Sequence, residues 1–234
     1  MRMFAIAVVS LVLVAGAAFA QTPDAATAAP GNPPPGNPPM TGPQLLIQTT
    51  MGDITLQLDS VRAPQSVTHI LRMARMGFYN GSCIYRVEKD FVIQMGSWDA
   101  QGNGHGWVPR PVPLEANNGL KNYKYAVALP RGDDPSSAGP DFYINMRDNL
   151  ALDRKPDDSE NKTGFAVFGE VTEASLPVVQ AINEVIVGGK GPFPASSPTT
   201  PVVITRVSVV GDPPPRPVPA AMPVPAKPVP KKTR

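Results

Sequence analysis

The chain has 234 residues, 30 of them proline and 20 glycine, with a formal net charge of +2 and a single cysteine. One cysteine excludes an intramolecular disulfide, and so small a charge gives no ground for a basic, aromatic-lined nucleic-acid surface. The charge is unevenly spread: Arg216, Lys227, Lys231, Lys232 and Arg234 stand against Asp212 alone at the C-terminus, which leaves the middle of the chain slightly acidic.

Residues 1–20 carry Arg2, an apolar run over 4–17 and the small-residue pattern Ala18-Phe19-Ala20. That is the pattern of a secretory signal peptide cleaved after Ala20, too short and wrongly flanked for a membrane span. Export is therefore expected, with the periplasm as the compartment. No later apolar run approaches the roughly 18 residues of a transmembrane helix, so no transmembrane segment is expected. Residues 21–43 hold eight prolines and one charge, Asp24, and residues 212–234 hold nine prolines. Neither stretch can bury enough apolar surface to offset ordering entropy, so both are expected to be disordered, one a Pro/Gly-rich linker and the other a basic tail. The tail suits a solubilising spacer or a weak attraction to an anionic surface. Residues 44–211 form the one domain, long enough for a real core.

Within it, Leu45 to Asp59 reads as a β-hairpin turning at Thr50-Met51-Gly52-Asp53, with Ile54, Leu56 and Leu58 alternating against Thr55 and Gln57. A helix is predicted from Pro64 to about Gly77: proline suits its first position, glycine the residue past its end, and Val67, Ile70, Leu71 and Ala74 make one apolar stripe. His69 falls off the stripe and is expected on the surface. Strands are predicted over 82–87, 91–95, 125–129, 142–146, 165–168 and 202–210. A second helix fits 176–185, with Val178, Ala181, Ile182 and Val185 on one face. Many short strands with two helices point to an antiparallel barrel or sandwich capped by helices. Cys83 reads as a small buried hydrophobe on a strand. The longest connection, about 28 residues between Gly96 and Tyr125, is long enough to be functional or packed on itself.

Several motifs carry no chemistry. Gly102 to Gly106, "GNGHG", follows a strand but opens no helix and lacks the Gly-Lys-Ser/Thr ending of a phosphate loop. His69, His105 and Cys83 have no metal-ligand spacing, so neither a metal nor a cofactor is expected. Asp133-Asp134 and Asp157-Asp158 lie beside Pro135 and Pro156 and read as solvated turns.

One stretch does stand out. "YRVEKDFVIQMG", Tyr85 to Gly96, sets Arg86 and Gln94 on otherwise apolar strands. It resembles the core motif F-H-R-V-I-x-x-F-M-x-Q-G-G of the cyclophilin family of peptidyl-prolyl cis–trans isomerases, and "LEANNGLKN" is similar to a segment common in the exported bacterial members. "TTMGDITLQLD", "GFYNG", "LEANNGLKN" (114–122), "DFYIN" (141–145) and "FAVFGEV" (165–171) resemble further family segments, in the family's order. The resemblance spans residues 44–211. It implies a mainly β fold, a closed eight-stranded antiparallel β-barrel capped by two α-helices, monomeric, with a substrate groove on its outer face for proline-containing segments of unfolded or exported polypeptides.

The resemblance also assigns candidate roles. Arg86 becomes the group that donates to the prolyl nitrogen, and Gln94 the residue that holds the peptide backbone and orients Arg86. Phe91, Val92, Tyr143, Leu152 and Phe165 align with pocket-lining positions, and Pro130, Arg131, Asp141 and Ala151 with further peptide-facing ones. Val92 and Gln94 share one strand face while Phe91 belongs to the other, so residues of both faces must reach one groove. Several positions depart from the family pattern. Val92 replaces methionine, Tyr143 phenylalanine, Pro130 alanine, Ala151 tryptophan or phenylalanine, and Phe165 histidine or tyrosine. Asp141 replaces a glutamine; a carboxylate only accepts hydrogen bonds, which makes it a candidate partner for Arg86. "RKPDDSENKTG" lengthens the loop before Phe165. The expected activity is isomerisation of Xaa-Pro bonds, reduced by these substitutions. The alternative is a cyclophilin-like module that binds proline-containing segments as a chaperone or scaffold without useful turnover.

Overall fold

The computed structural model describes residues 36–105 and 110–213; the expected signal peptide, most of the linker and nearly all of the tail lie outside them. Eight strands run β1 (Gln44–Thr49), β2 (Gly52–Leu58), β3 (Ser82–Glu88), β4 (Val92–Asp99), β5 (Ala126–Ala128), β6 (Phe142–Asn145), β7 (Val167–Val171) and β8 (Val202–Val209). They close into an antiparallel barrel in the order β1-β2-β7-β5-β6-β4-β3-β8. Closure removes the unpaired strand edges that would otherwise invite aggregation.

Period-two alternation decides which side chains fill the barrel. Leu45 and Ile47 of β1 and Ile54, Leu56 and Leu58 of β2 are fully buried inside it, while Thr55 and Gln57 face outward. The hairpin turns on Thr49, whose Oγ1 donates to the Gly52 carbonyl at 2.7 Å and accepts from the Met51 amide. Gly52 has φ +125°, a conformation open to glycine and strained for other residues.

Two helices bury their apolar faces in the same core and close the barrel. α1 (Pro64–Arg75) packs against β8 through its predicted stripe, joined by Met73. Each of the larger ones, Val67, Ile70, Leu71 and Met73, contributes on the order of 1.5–3 kcal/mol when fully buried. Its N-terminus has no side-chain cap of its own. Glu115, far along the chain, supplies one: Oε1 accepts from the Gln65 amide at 3.0 Å, and Oε2 from the Ser66 amide and hydroxyl at 2.8 and 2.7 Å. α2 (Leu176–Asn183) packs against β2 and β3. Its buried face is Val179, Ile182 and Asn183, whereas the expected Val178 is half-buried and Ala181 exposed. The helix is too short for its apolar positions alone to set the phase; Asn183 turns inward because its side chain accepts from the Asp90 amide and donates to Asp90 Oδ1.

His69 is half-buried rather than on the surface, and burial together with Arg72 lowers its pKa. Cys83 is buried on β3, and burial pushes its thiol up to about 11. The described parts of the long connection are tied down by two bridges: Gly104 pairs with Trp98 of β4, and Val112 with Ala138 in the loop between β5 and β6. Residues 36–43, the described part of the expected linker, run against the domain. Asn37 exchanges two hydrogen bonds with the Lys121 backbone, and Met40 packs on the barrel's outer apolar cluster.

Candidate functional site

The site grows from one irregularity in β3. In the β3–β4 register Ile84 pairs with Met95 and Arg86 with Gln94, so Tyr85 is an extra residue, a β-bulge. Ile84 and Val87 therefore stay in the core while the adjacent Tyr85 and Arg86 both leave it. Register then carries the outer face sideways: Gln94 of β4 pairs with Tyr143 of β6, which pairs with Ala128 of β5. Arg86, Gln94, Tyr143 and Ala128 form one row across four strands.

Beside this row lies an apolar cluster on the barrel's outside: Val92, Leu120, Ala126, Ala128, Tyr143 and Val167, with Phe91, Leu152 and Phe165 packed against it. A hollow of about 290 Å³ opens on it, lined by Arg86, Phe91, Val92, Gln94, Pro130, Arg131, Tyr143, Leu152, Phe165 and Phe193. Nine of the eleven sequence-derived site residues meet there. The conflict of strand faces disappears because Phe91 is not on the strand. It ends the turn after Asp90 (φ +56°), and β4 begins only at Val92. Phe91 is held from behind: Asn149 Nδ2 donates to its carbonyl at 3.0 Å, and the Arg147 guanidinium lies 5.5 Å over its ring.

Arg86 is pinned within its own plane. Nη1 donates to Gln94 Oε1 at 3.1 Å; Nε and Nη2 donate to Glu88 Oε1 at 3.0 and 2.7 Å. A guanidinium has five N–H groups, so one remains on each terminal nitrogen. Gln94 is 8% exposed, which leaves its amide little room to turn.

Asp141 does not meet Arg86. Its Oδ1 accepts from the Ser97 amide at 2.6 Å and the Ser97 hydroxyl at 2.9 Å. β4 makes this possible at Gly96, where a Cβ would fall 2.3 Å from that same oxygen. Burial raises the Asp141 carboxyl above its ordinary value, against the pull of the two Ser97 hydrogen bonds. Asp141 lines a neighbouring hollow of about 490 Å³ with Tyr85, Ser97, Trp98 and His105; Gln94, Pro130, Arg131 and Phe193 border both hollows. Tyr85, Gln94 and Asp141 line this same neighbouring hollow, so Asp141 relates to Arg86 only through that shared lining. Burial raises the Tyr85 phenol well above its usual range, and it stays protonated. Ala151 is exposed and lines neither hollow; a methyl group is too short to reach from the 3-10 turn at Leu150–Leu152.

The pocket floor is fixed by buried amides. Tyr143 donates its hydroxyl to Asn122 Oδ1 at 3.0 Å, Asn145 donates to the same oxygen, and Asn122 Nδ2 donates to Asp153. Arg131 secures one lip: it donates to the carbonyls of Gly164, Gly132 and Lys162 and lies 5.2 Å over the Phe165 ring. Among the described residues no group of three or more His, Cys, Asp or Glu side chains could hold a metal ion.

Sequence reasoning missed Phe193, Glu88 as Arg86's partner, and Tyr85. The bulge that turns Tyr85 out of the barrel core leaves no trace in composition. Phe193 did leave a signal: a lone aromatic between Pro192 and Pro194 in a Gly/Pro-rich loop.

Comparison with known proteins shows the family. Residues 44–209 match the family model described as cyclophilin type peptidyl-prolyl cis-trans isomerase/CLD. The chain is 38% identical over 165 residues to peptidyl-prolyl cis-trans isomerase cyp18 of Streptomyces antibioticus, covering 70% of this chain and 97% of that one. It is 33% identical over 170 residues to peptidyl-prolyl cis-trans isomerase A of Dickeya dadantii, covering 73% and 86%. A Cryptosporidium parvum cyclophilin type isomerase, solved in the presence of the dipeptide Ala-Pro, superimposes with a TM-score of 0.59 at 16% identity, over 72% of this chain and 99% of that one. At that identity the likeness is one of fold.

Proposed function

The chain belongs to the cyclophilin-type peptidyl-prolyl cis–trans isomerases, and from that premise we propose that it turns Xaa-Pro bonds of exported polypeptides in the hollow beside Arg86. The reaction needs no nucleophile and no metal. Amide resonance opposes rotation by about 18–20 kcal/mol, and Xaa-Pro bonds left alone interconvert over tens to hundreds of seconds. A site accelerates this by binding the twisted amide more tightly than the planar one.

The observation that carries the reading is the state of Arg86. It sits at the edge of an apolar hollow, is held in plane by Gln94 and Glu88, and keeps an N–H on each terminal nitrogen. A hollow this size is at the small end of ligand sites and suits one side chain, such as a prolyl ring. Twisting localises a lone pair on the prolyl nitrogen, and a fixed guanidinium donor favours that state by about 1.5–3 kcal/mol, more where water is excluded. Phe91, Val92, Tyr143, Leu152 and Phe165 supply the ring's walls. Pro130, Arg131 and Asp141 edge the path of the flanking peptide.

The signal-like residues 1–20 support export, with the periplasm as the compartment, where unfolded chains await slow prolyl isomerisation. The basic tail supports a weak attraction to anionic surfaces there. Arg86→Ala tests the site. On a short Xaa-Pro peptide, NMR exchange should show a rate about 10- to 100-fold lower with an unchanged circular dichroism spectrum. Full activity in that variant would sink the role given to Arg86. Binding without turnover in the unaltered protein would leave only the chaperone reading.

A further inference from the structure

Between α2 and β8, residues 187–201 cross the outside of β3, and the crossing is built rather than loose. The Val87 amide donates to the Ser196 carbonyl at 2.7 Å. The buried Ser197 shares its single hydroxyl proton between the carbonyls of Tyr85 and Phe193, at 2.8 and 2.9 Å. The Gly188 and Gly189 amides both donate to the Ser197 carbonyl. Only glycine fits the inner side of the turn: a Cβ on Gly189 would lie 2.2 Å from the Pro198 carbonyl oxygen, and one on Gly191 2.4 Å from Ser197 Oγ.

What this construction delivers is one ring. Phe193 stacks on Tyr85 with centroids 6.1 Å apart and planes 20° apart, and the Arg86 guanidinium carbon lies 5.2 Å from its centroid. The residue is 44% exposed, so it fills no core, yet it borders both hollows. Gln94 and Glu88 fix the guanidinium only through bonds along its edges. Such bonds resist sliding better than tilting out of plane. A face-on aromatic ring opposes the tilt.

We propose that Phe193 is a positioning residue for the reaction: its ring holds the Arg86 guanidinium at the angle from which the free N–H groups meet the twisted amide. The inference rests on the role given above to Arg86. It concerns the π face, not bulk alone, so leucine should not replace it and tryptophan should.

The experiment compares Phe193→Ala, Phe193→Leu and Phe193→Trp in the full chain, with Arg86→Ala alongside. NMR exchange on a saturating Xaa-Pro peptide gives the on-enzyme rate, titration gives the affinity, and ¹⁵N relaxation of the Arg86 Nε–H gives its order. The alanine and leucine variants should lose about three- to ten-fold in on-enzyme rate, with affinity within about two-fold and a more mobile Arg86 Nε–H; tryptophan should restore rate and order. A leucine variant with unaltered rate and order overturns the proposal. So does a fall in affinity at constant on-enzyme rate, which would make Phe193 a groove wall. If Arg86→Ala keeps its rate, the role of Arg86 fails instead, and the relaxation data still report whether the ring holds the guanidinium.

Discussion

Arg86 and Gln94 are direct partners in the β3–β4 register, and Arg86 Nη1 donates to Gln94 Oε1 at 3.1 Å. Eight residues apart in sequence, they are neighbours because the hairpin folds them together. The bulge at Tyr85 keeps Arg86 on the outer face with Gln94. One edge of the guanidinium is thus set by the barrel itself and the other by Glu88.

Glu88 takes two hydrogen bonds from Arg86, but both side chains are partly exposed, at 25% for Arg86 and 37% for Glu88. Exposed ion pairs contribute about 0–1 kcal/mol because water and salt screen them. Glu88→Ala should therefore change the isomerisation rate by less than about five-fold, far less than Arg86→Ala, and the difference should shrink further in high salt. A loss as deep as that of Arg86→Ala would make Glu88 indispensable.

Asp141 answers to pH. Its carboxyl is raised above the ordinary value of 3.8, chiefly by burial. The folded state therefore binds this proton more tightly than the unfolded state does. The favourable contribution is complete below the unfolded value and fades as pH rises through the folded one. Asp141→Asn keeps an oxygen for Ser97 without the buried charge. Urea melts should find it more stable than the parent at pH 7, with the gap narrowing toward pH 4. A gap that widens on acidification would contradict this.

Much of the barrel was legible because alternation and helical stripes are imposed by burial, and burial leaves a pattern. The outer groove was legible residue by residue only where a motif marked it, as at Arg86, Phe91 and Gln94. Three further features are set by tertiary contacts, and of these only Phe193, flanked by Pro192 and Pro194, left even a weak signal in the sequence. The Asp141–Ser97 contact depends on how closely β4 passes β6 at Gly96. The phase of α2 depends on Asn183 finding Asp90. Phe193 depends on the path of a loop through glycines and Ser197. Each is a tertiary contact between distant segments, which local periodicity does not encode.

Glu115 gives a stability prediction away from the groove. It is buried, and it satisfies two amides and a hydroxyl at the N-terminus of α1, where a negative charge also complements the helix dipole. Glu115→Ala leaves those donors unpaired in the interior and should cost about 2–3 kcal/mol in denaturant unfolding, with the slope unchanged. A loss under about 0.5 kcal/mol, the range of surface substitutions, would show that water replaces the carboxylate.

Arg131 should separate binding from turnover. Its guanidinium ties the carbonyls of Lys162 and Gly164 to the pocket lip and lies over Phe165. It makes no hydrogen bond to Arg86 or Gln94. Removing it frees the lengthened loop and one wall of the hollow but leaves the polar row across β3, β4 and β6 in place. Arg131→Ala should weaken peptide affinity about three- to ten-fold while the on-enzyme rate stays within about two-fold. Amide exchange over residues 155–164 should quicken in the same variant. Lysine should not rescue it, because a compact ammonium cannot reproduce the planar fork that serves four carbonyls at once, those of Gly132, Asp133, Lys162 and Gly164. If the on-enzyme rate fell as steeply as the affinity, Arg131 would belong with Arg86 in the chemistry rather than with the walls.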